Sequence, residues 1–254
     1  MLPLLERIER YYDEVPRAFA SAEDWGPLTL FVRRGSEGWP FYARPRLGHD
    51  GPLTADDVRR VRARQRELGV LESFEWVAET APGMAEAARE AGLAVARHPL
   101  LVLPDRAVRV AAPPEVRLTV LDASLDRLSE VVAAIQAGFT DDDRPAEPSG
   151  VDGLRESIAA GSTRMVGAFD AAGPIGGGTH GPRGEVTELT GIAVLPRARG
   201  RGVGAAVTAR LVEHARGLGV RTVFLSAGSE RVARIYERVG FERLATACIA
   251  EPDA

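Results

Sequence analysis

The sequence predicts an α/β fold made of two similar domains in tandem. Three observations predict it. Segments of helical and strand periodicity alternate along the whole chain. A break at Ala111-Ala-Pro-Pro-Glu115 interrupts them, because paired prolines resist both helix and sheet interior. The two sides also end alike. Glu67-Leu-Gly-Val70 matches Gly217-Leu-Gly-Val220, with Gly69 and Gly219 separated by 150 positions. Arg89-Glu-Ala-Gly-Leu93 matches Glu237-Arg-Val-Gly-Phe241, with Gly92 and Gly240 separated by 148. Two blocks in the same order, differing by ordinary loop drift, read as an internal duplication. The expected domains are 1–110 and 116–254, joined by a linker at 111–115.

Each element has a local reason. Leu5, Ile8, Tyr12 and Val15 fall at helical spacing and make a first amphipathic helix. Leu28–Val32 and Trp39–Ala43 read as strands around the turn at 33–38. A helix over Ala55–Leu68 opens after Thr54, an N-cap residue followed by Asp56 and Asp57. A short strand at Ser73–Val77, a helix at Gly83–Glu90 and a strand at His98–Leu103 complete the first side. Beyond the linker, Arg117–Leu121 is a strand, and Leu125–Phe139 a helix with Leu128, Val131, Val132 and Ile135 on one face. A polar loop with Asp141, Asp142 and Asp143 leads to a helix at Asp152–Ala160. Strands follow at Arg164–Phe169, Pro174–Gly181 and Glu185–Leu195, then a helix at Val203–Leu218. Strand Thr222–Ser226, helix Ser229–Val239 and strand Phe241–Ala250 finish the chain.

Composition narrows the partners. At 45% hydrophobic and 27% charged, the 254 residues suit globular domains with full cores and exclude collagen-like or wholly disordered readings. The net charge is −4, and neither side of the linker carries the basic excess that phosphate-backbone binding needs, so no nucleic-acid partner is expected. Every basic residue is Arg, which with abundant Ala, Val and Gly suggests a GC-rich bacterial genome. The opening MLPLLERIER carries Glu6 and Arg7 and does not read as a signal peptide. The apolar stretch Pro99–Pro104 is too short to span a bilayer. A cytoplasmic monomer or homodimer with no membrane partner is expected. Cys248, the one cysteine, cannot form an internal disulfide, and the four histidines show no metal-ligand spacing, so no metal is expected.

The strongest local signal is Val194-Leu-Pro-Arg-Ala-Arg199-Gly-Arg-Gly202-Val-Gly204-Ala205. A long strand runs into Pro196, and a glycine-rich turn then opens a helix. Gly202 and Gly204 let the backbone approach a ligand, while the unbonded N–H groups of the first helical turn suit a phosphate or pyrophosphate. Gly200-x-Gly202-x-x-Ala205 also fits the loose dinucleotide fingerprint. That fingerprint needs its first glycine at the strand end and an acid about 20 residues on. Pro196–Arg199 intervene, and Thr222–Ser226 ends without an acid, so a nicotinamide cofactor is rejected.

Arg199-x-x-Gly202-x-Gly204 resembles the coenzyme A pyrophosphate motif of the GNAT family of acyl-CoA-dependent N-acetyltransferases. Ile235-Tyr236-Glu-Arg-Val-Gly240-Phe241 resembles that family's second hallmark, a helix-borne tyrosine followed by Gly-Phe. The resemblance covers residues 116–250 and implies two mixed-sheet domains in tandem. The first is degenerate, with Ala88 where Tyr236 would be and His49–Thr54 in place of the glycine turn. It implies acetyl-CoA as cofactor, held by Ile192, Ala193 and Val194 along the pantetheine arm, and by Arg199, Gly200, Arg201, Gly202, Val203, Gly204 and Ala205 at the pyrophosphate. Ser229 stands where the family often has an asparagine that helps hold the pantetheine. An alkylamine acceptor has a pKa near 10.4, so a general base is useful. The resemblance gives that part to Glu188, with Glu185 as backup, the oxyanion to the Val194 N–H, and protonation of the leaving thiolate to Tyr236. The implied activity is direct acetyl transfer to a primary amine of a small molecule or peptide; the alternative is a non-catalytic acyl-CoA-binding or regulatory protein. Cys248 is expected to be a packed hydrophobe, and Asp141–Asp143 a solvated acidic loop.

Overall fold

The computed structural model describes residues 2–34, 42–105, 108, 110–123 and 127–253. It divides into two compact units that are not consecutive pieces of chain. The first comprises Met1–Leu100, Ser226–Glu230 and Arg243–Ala254; the second comprises Leu101–Leu225 and Arg231–Glu242. Cutting the chain at 111–115 therefore does not separate the units. The last strand belongs with the N-terminal unit, a consequence of long-range pairing that no local pattern records.

In the first unit, helix α1 (Leu2–Arg17) precedes strands β1 (Ala20–Trp25), β2 (Leu28–Arg33) and β3 (Ala43–Pro45). Helix α2 (Ala55–Glu67), β4 (Phe74–Val77), α3 (Met84–Glu90) and β5 (Ala94–Leu103) follow. β1, β2 and β3 pair antiparallel, and β3 then meets β4 in parallel at Ala43 and Phe74. The C-terminal strand β11 (Glu242–Glu251) lies antiparallel to β4, setting Cys248 against Trp76 and Ala250 against Phe74. Leu28, Leu30, Val58, Val61, Phe74, Trp76, Met84 and Cys248 form one buried core. Thr54 and Asp57 cap α2 reciprocally, as its sequence predicts. α1 buries Leu5, Ile8 and Tyr11, while the expected Tyr12 is only half-buried. The strand expected at Trp39–Ala43 is seen from Ala43 on; residues 39–41 lie outside the described residues.

The second unit contains β6 (Arg117–Leu121), α4 (Leu128–Phe139), α5 (Val151–Ala159), β7 (Arg164–Asp170), β8 (Gly173–His180) and β9 (Val186–Val194). Helix α6 (Val203–Gly217), β10 (Thr222–Ser226) and α7 (Glu230–Val239) follow. Its strands run in the order β10-β9-β8-β7-β6, antiparallel except for β9 and β10. This is an α/β fold with a mixed sheet. A Cβ on Gly177 would meet Ile135 and Val131 of α4, and one on Gly178 would meet Leu211 of α6. Successive strand residues point to opposite faces, so α4 and α6 cover opposite sides of the sheet. Val131, Val132, Ile135, Met165, Phe169 and Ala193 pack on the α4 side.

The two halves of the chain, rather than the two units, share an order of elements: three antiparallel strands, a helix, a strand parallel to the third, a second helix, a final strand. Three of the paired elements begin at an offset of 148, while the first three strands and α3 with α7 are offset by 143 to 146. α2 and α6 begin at 55 and 203, β4 and β10 at 74 and 222, and β5 and β11 run over 94–103 and 242–251.

Candidate active site

The site is built on β9. It pairs with β10 only at its start, through Val186, Thr187 and Glu188 opposite Thr222, Val223 and Phe224. Residues 189–194 of β9 have no partner on β10, so the two parallel strands part after Glu188. Glu188 therefore stands at the fork. Its neighbour Thr187 bonds His180, which reaches His214 on α6, so Glu188 points to the opposite face, the one covered by α4. Thr190 shares that face, and its hydroxyl meets that of Thr179 at 2.9 Å.

Past the fork, β9 carries a bulge. Gly177 faces Ala193 and Thr179 faces Thr190, so β9 holds one residue more than β8 between these pairs. Gly191 sits there with φ +62°. Leu195 N–H donates to Ile175 O at 2.9 Å, so the preceding pair, Val194 with Gly176, is of the non-hydrogen-bonded kind. The Val194 N–H is thus turned away from β8, toward the edge that β10 has left. Small residues bring α4 close to this point: a Cβ on Gly138 would lie 3.1 Å from the Val194 backbone. A Cβ on Gly176 would lie 2.3 Å from Ala193 O. The run Gly176-Gly177-Gly178, visible in the sequence, was the overlooked signal for this close packing.

The turn after β9 presents the start of α6. Gly202 precedes the helix with φ +82°, in open space, and a Cβ on Gly204 would be 3.8 Å from Val194 Cγ2. The first helical hydrogen bond is Ala206 N–H to Gly202 O, which leaves the earlier N–H groups of Val203, Gly204 and Ala205 outside the helical ladder. α6 has no side-chain cap and no acid in its first turn. α2, its counterpart in the first unit, has a capping box and both Asp56 and Asp57. Only the α6 start suits an anion. The α6-side residue Ile192 lies over Gly178, Ala193 is buried on the α4 side, and Val203 is buried.

The arginines of this turn are engaged within the protein. Arg199 donates to Val194 O at 3.1 Å and Gly138 O at 2.6 Å, and pairs with Asp141. Arg201 pairs with Glu115. Arg197 N–H donates to Asp143 at 2.8 Å, and its side chain bonds Asp170 at 3.0 Å. The acidic loop is solvent-exposed, as expected, while Asp141 and Asp143 also reach this turn and Asp142 accepts from Arg144 N–H within the loop at 2.9 Å. Glu185, the backup base, is exposed and paired with Arg221 at 3.2 Å.

Tyr236 is buried on α7, edge-on to Phe241 with ring centroids 6.1 Å apart. Gly240, at φ +116°, ends the helix; its N–H and that of Phe241 both donate to Tyr236 O. The Gly-Phe pair thus folds back under the tyrosine. Burial pushes the Tyr236 phenol up to about 12, so it stays protonated at neutral pH. Ser229 falls in Ser226–Glu230, which groups with the first unit. Cys248 is buried in the first unit's core, and burial raises its pKa. Among the described residues no group of acids, histidines and cysteine is arranged to hold a metal ion, and no helix is long and apolar enough to cross a membrane.

Residues 130–241 match the family model for the acetyltransferase (GNAT) family. A mycothiol acetyltransferase of Cellulomonas flavigena is 42% identical over 66 residues, 25% of this chain and 19% of that protein. The chain therefore matches about a fifth of that relative's length. Among solved structures, a GCN5-related N-acetyltransferase from Kribbella flavida superposes with a TM-score of 0.78 at 23% identity, over 98% of this chain and 96% of that one. Another from Sphaerobacter thermophilus superposes with a TM-score of 0.64 at 14% identity, over 90% and 78%. These likenesses give the fold. The family match lies across the fork, the glycine turn and Tyr236, so it is in residues 130–241 that the chain is similar to the GNAT family of acetyltransferases.

Proposed function

We propose that the protein is an acetyl-CoA-dependent N-acetyltransferase acting at the fork of the second unit, on a primary amine of a small molecule or peptide. The observation that carries this reading is the parting of β9 and β10 after Glu188, with the Val194 N–H turned into the gap. Acetyl-CoA supplies an activated thioester. The uncapped start of α6, behind Gly202, supplies N–H groups and a positive dipole end for its pyrophosphate. Ile192, Ala193 and Val194 would line the pantetheine, and the Val194 N–H would donate to the oxyanion that forms on attack. Glu188 would take the proton of the ammonium acceptor, and Tyr236, kept neutral by burial, would donate to the leaving thiolate.

The first unit is the degenerate copy in this reading. The shared offset of 148 between elements supports a duplication. Ala88, at the position of Tyr236, is buried and has no proton to give. The α2 start is closed by Thr54 and Asp57, and its two acids oppose a phosphate.

The test is mass spectrometry of an amine panel incubated with protein and acetyl-CoA, with free coenzyme A followed in parallel. An acetylated amine is expected, and Glu188→Gln and Tyr236→Phe should each lower turnover by about 10²–10⁴-fold while coenzyme A affinity changes little. Bound acetyl-CoA with no acetylated amine across the panel, or an acetyl adduct on Cys248, would reject direct transfer.

A further inference from the structure

The first unit contains a cavity of about 360 Å³ that has no part in the proposed transfer. It opens beside the start of β11. That strand pairs with β4 only over Ala247–Ala250, leaving Arg243–Ala245 clear of β4 along one wall. β5, the neighbour of β11 in the sheet, contributes Arg97, His98 and Pro99 to the lining, and Glu79, just after β4, adds its carboxylate. The chemistry of this lining is mixed, and its groups are unequally committed. Arg243 and Glu230 satisfy each other through two hydrogen bonds, at 3.0 and 2.6 Å. Glu79 accepts the Thr246 N–H with one oxygen, at 2.9 Å, leaving the other oxygen available. Among the described residues, Arg97 makes neither an ion pair nor a side-chain hydrogen bond, though it shares the cavity with Glu79. The Nδ1 of His98 is buried, so that atom is not presented to the cavity.

Two arginines and two glutamates cancel, so neither a simple anion nor a simple cation gains from the net charge of the lining. A molecule carrying both charges does. Arg97 offers donors to a carboxylate, while the open oxygen of Glu79 offers an acceptor to an ammonium. Between these polar groups, Pro99 and Leu244 give an apolar surface. We propose that the first unit holds a separate binding site for a free α-amino acid with an apolar side chain, its carboxylate on Arg97 and its ammonium on Glu79. The site stands whether or not the second unit transfers an acetyl group.

The experiment is calorimetry on the full chain with L-leucine, N-acetyl-L-leucine and L-leucinamide. The second ligand lacks the ammonium and the third lacks the carboxylate. L-Leucine should bind saturably at millimolar concentration or below, and each derivative should bind at least tenfold more weakly. Arg97→Met should abolish L-leucine binding and Glu79→Gln should weaken it, with coenzyme A affinity unchanged in both. Absence of saturable L-leucine binding would overturn the proposal. Binding that persists in Arg97→Met would also overturn it, as would equal binding of N-acetyl-L-leucine, which would mark an anion site only.

Discussion

Arg199 shows how one side chain can carry two readings. Its place in the glycine-rich motif assigns it to the coenzyme A pyrophosphate, yet its guanidinium holds the carbonyls of Val194 and Gly138 and pairs with Asp141. These bonds join the end of β9 to the end of α4 and fix the strand end that carries the candidate oxyanion donor. A lysine has one compact ammonium and cannot span three acceptors in different directions. Arg199→Lys should therefore lower the stability of the protein without any ligand by about 1–2 kcal/mol, a fall in melting temperature of about 2–8 °C. Thermal denaturation of the unliganded variant checks this. An unchanged midpoint with weakened coenzyme A binding would return Arg199 to a purely cofactor-binding part. The sequence showed that an arginine belongs here. It could not show what the side chain bonds, because Gly138 and Asp141 lie some 60 positions away along the chain.

At the scale of elements, legibility followed burial pattern. α2 and α6 were readable because their apolar stripes and starts are local features, and Thr54 caps α2 as expected. β1 was missed because its ASAEDW sequence buries one residue fully and leaves the rest half or fully exposed, so no alternation marks it as a strand. The bulge at Gly191 was equally hidden, since it exists only relative to the register of β8. His180 and His214 tie three elements together. His180 on β8 bonds Thr187 on β9 at 3.1 Å and His214 on α6 at 2.9 Å.

Burial first, then His214 and Arg164, push His180 down to about 4. The folded form thus favours neutral imidazole relative to the ordinary value near 6.5. Its contribution is present above about 6.5 and is lost as pH falls toward 4, because the unfolded chain takes up the proton first. Between pH 7 and pH 5 the loss should be about 2 kcal/mol. Urea denaturation of wild type and His180→Asn at both pH values checks this. The acid-induced loss should shrink in the variant, and an equal loss in both would contradict the assignment.

For the whole molecule, the likeness of the second half to the acetyltransferase (GNAT) family was legible because its motifs are compact and ordered. The division into units was not. β11 follows Tyr236 closely in sequence yet completes the first unit, where Cys248 and Ala250 join the core around Trp76 and Phe74. A β-strand carries no local record of its partner strand. The repeat was visible as two short matches, and the structure extends it to whole elements, three of which share the offset of 148.

The duplication leaves one unit with an open, uncapped helix start behind Gly202 and the other with a closed, acidic one. The most direct measurement is calorimetric titration of coenzyme A into the intact chain and into Gly202→Val. Gly202 sits at φ +82°, where a β-branched residue is strained and would displace the turn beside the α6 N–H groups. The account predicts one coenzyme A per chain and loss of that binding in Gly202→Val with the fold retained by circular dichroism. Two sites per chain, or undiminished affinity in the folded variant, would contradict it.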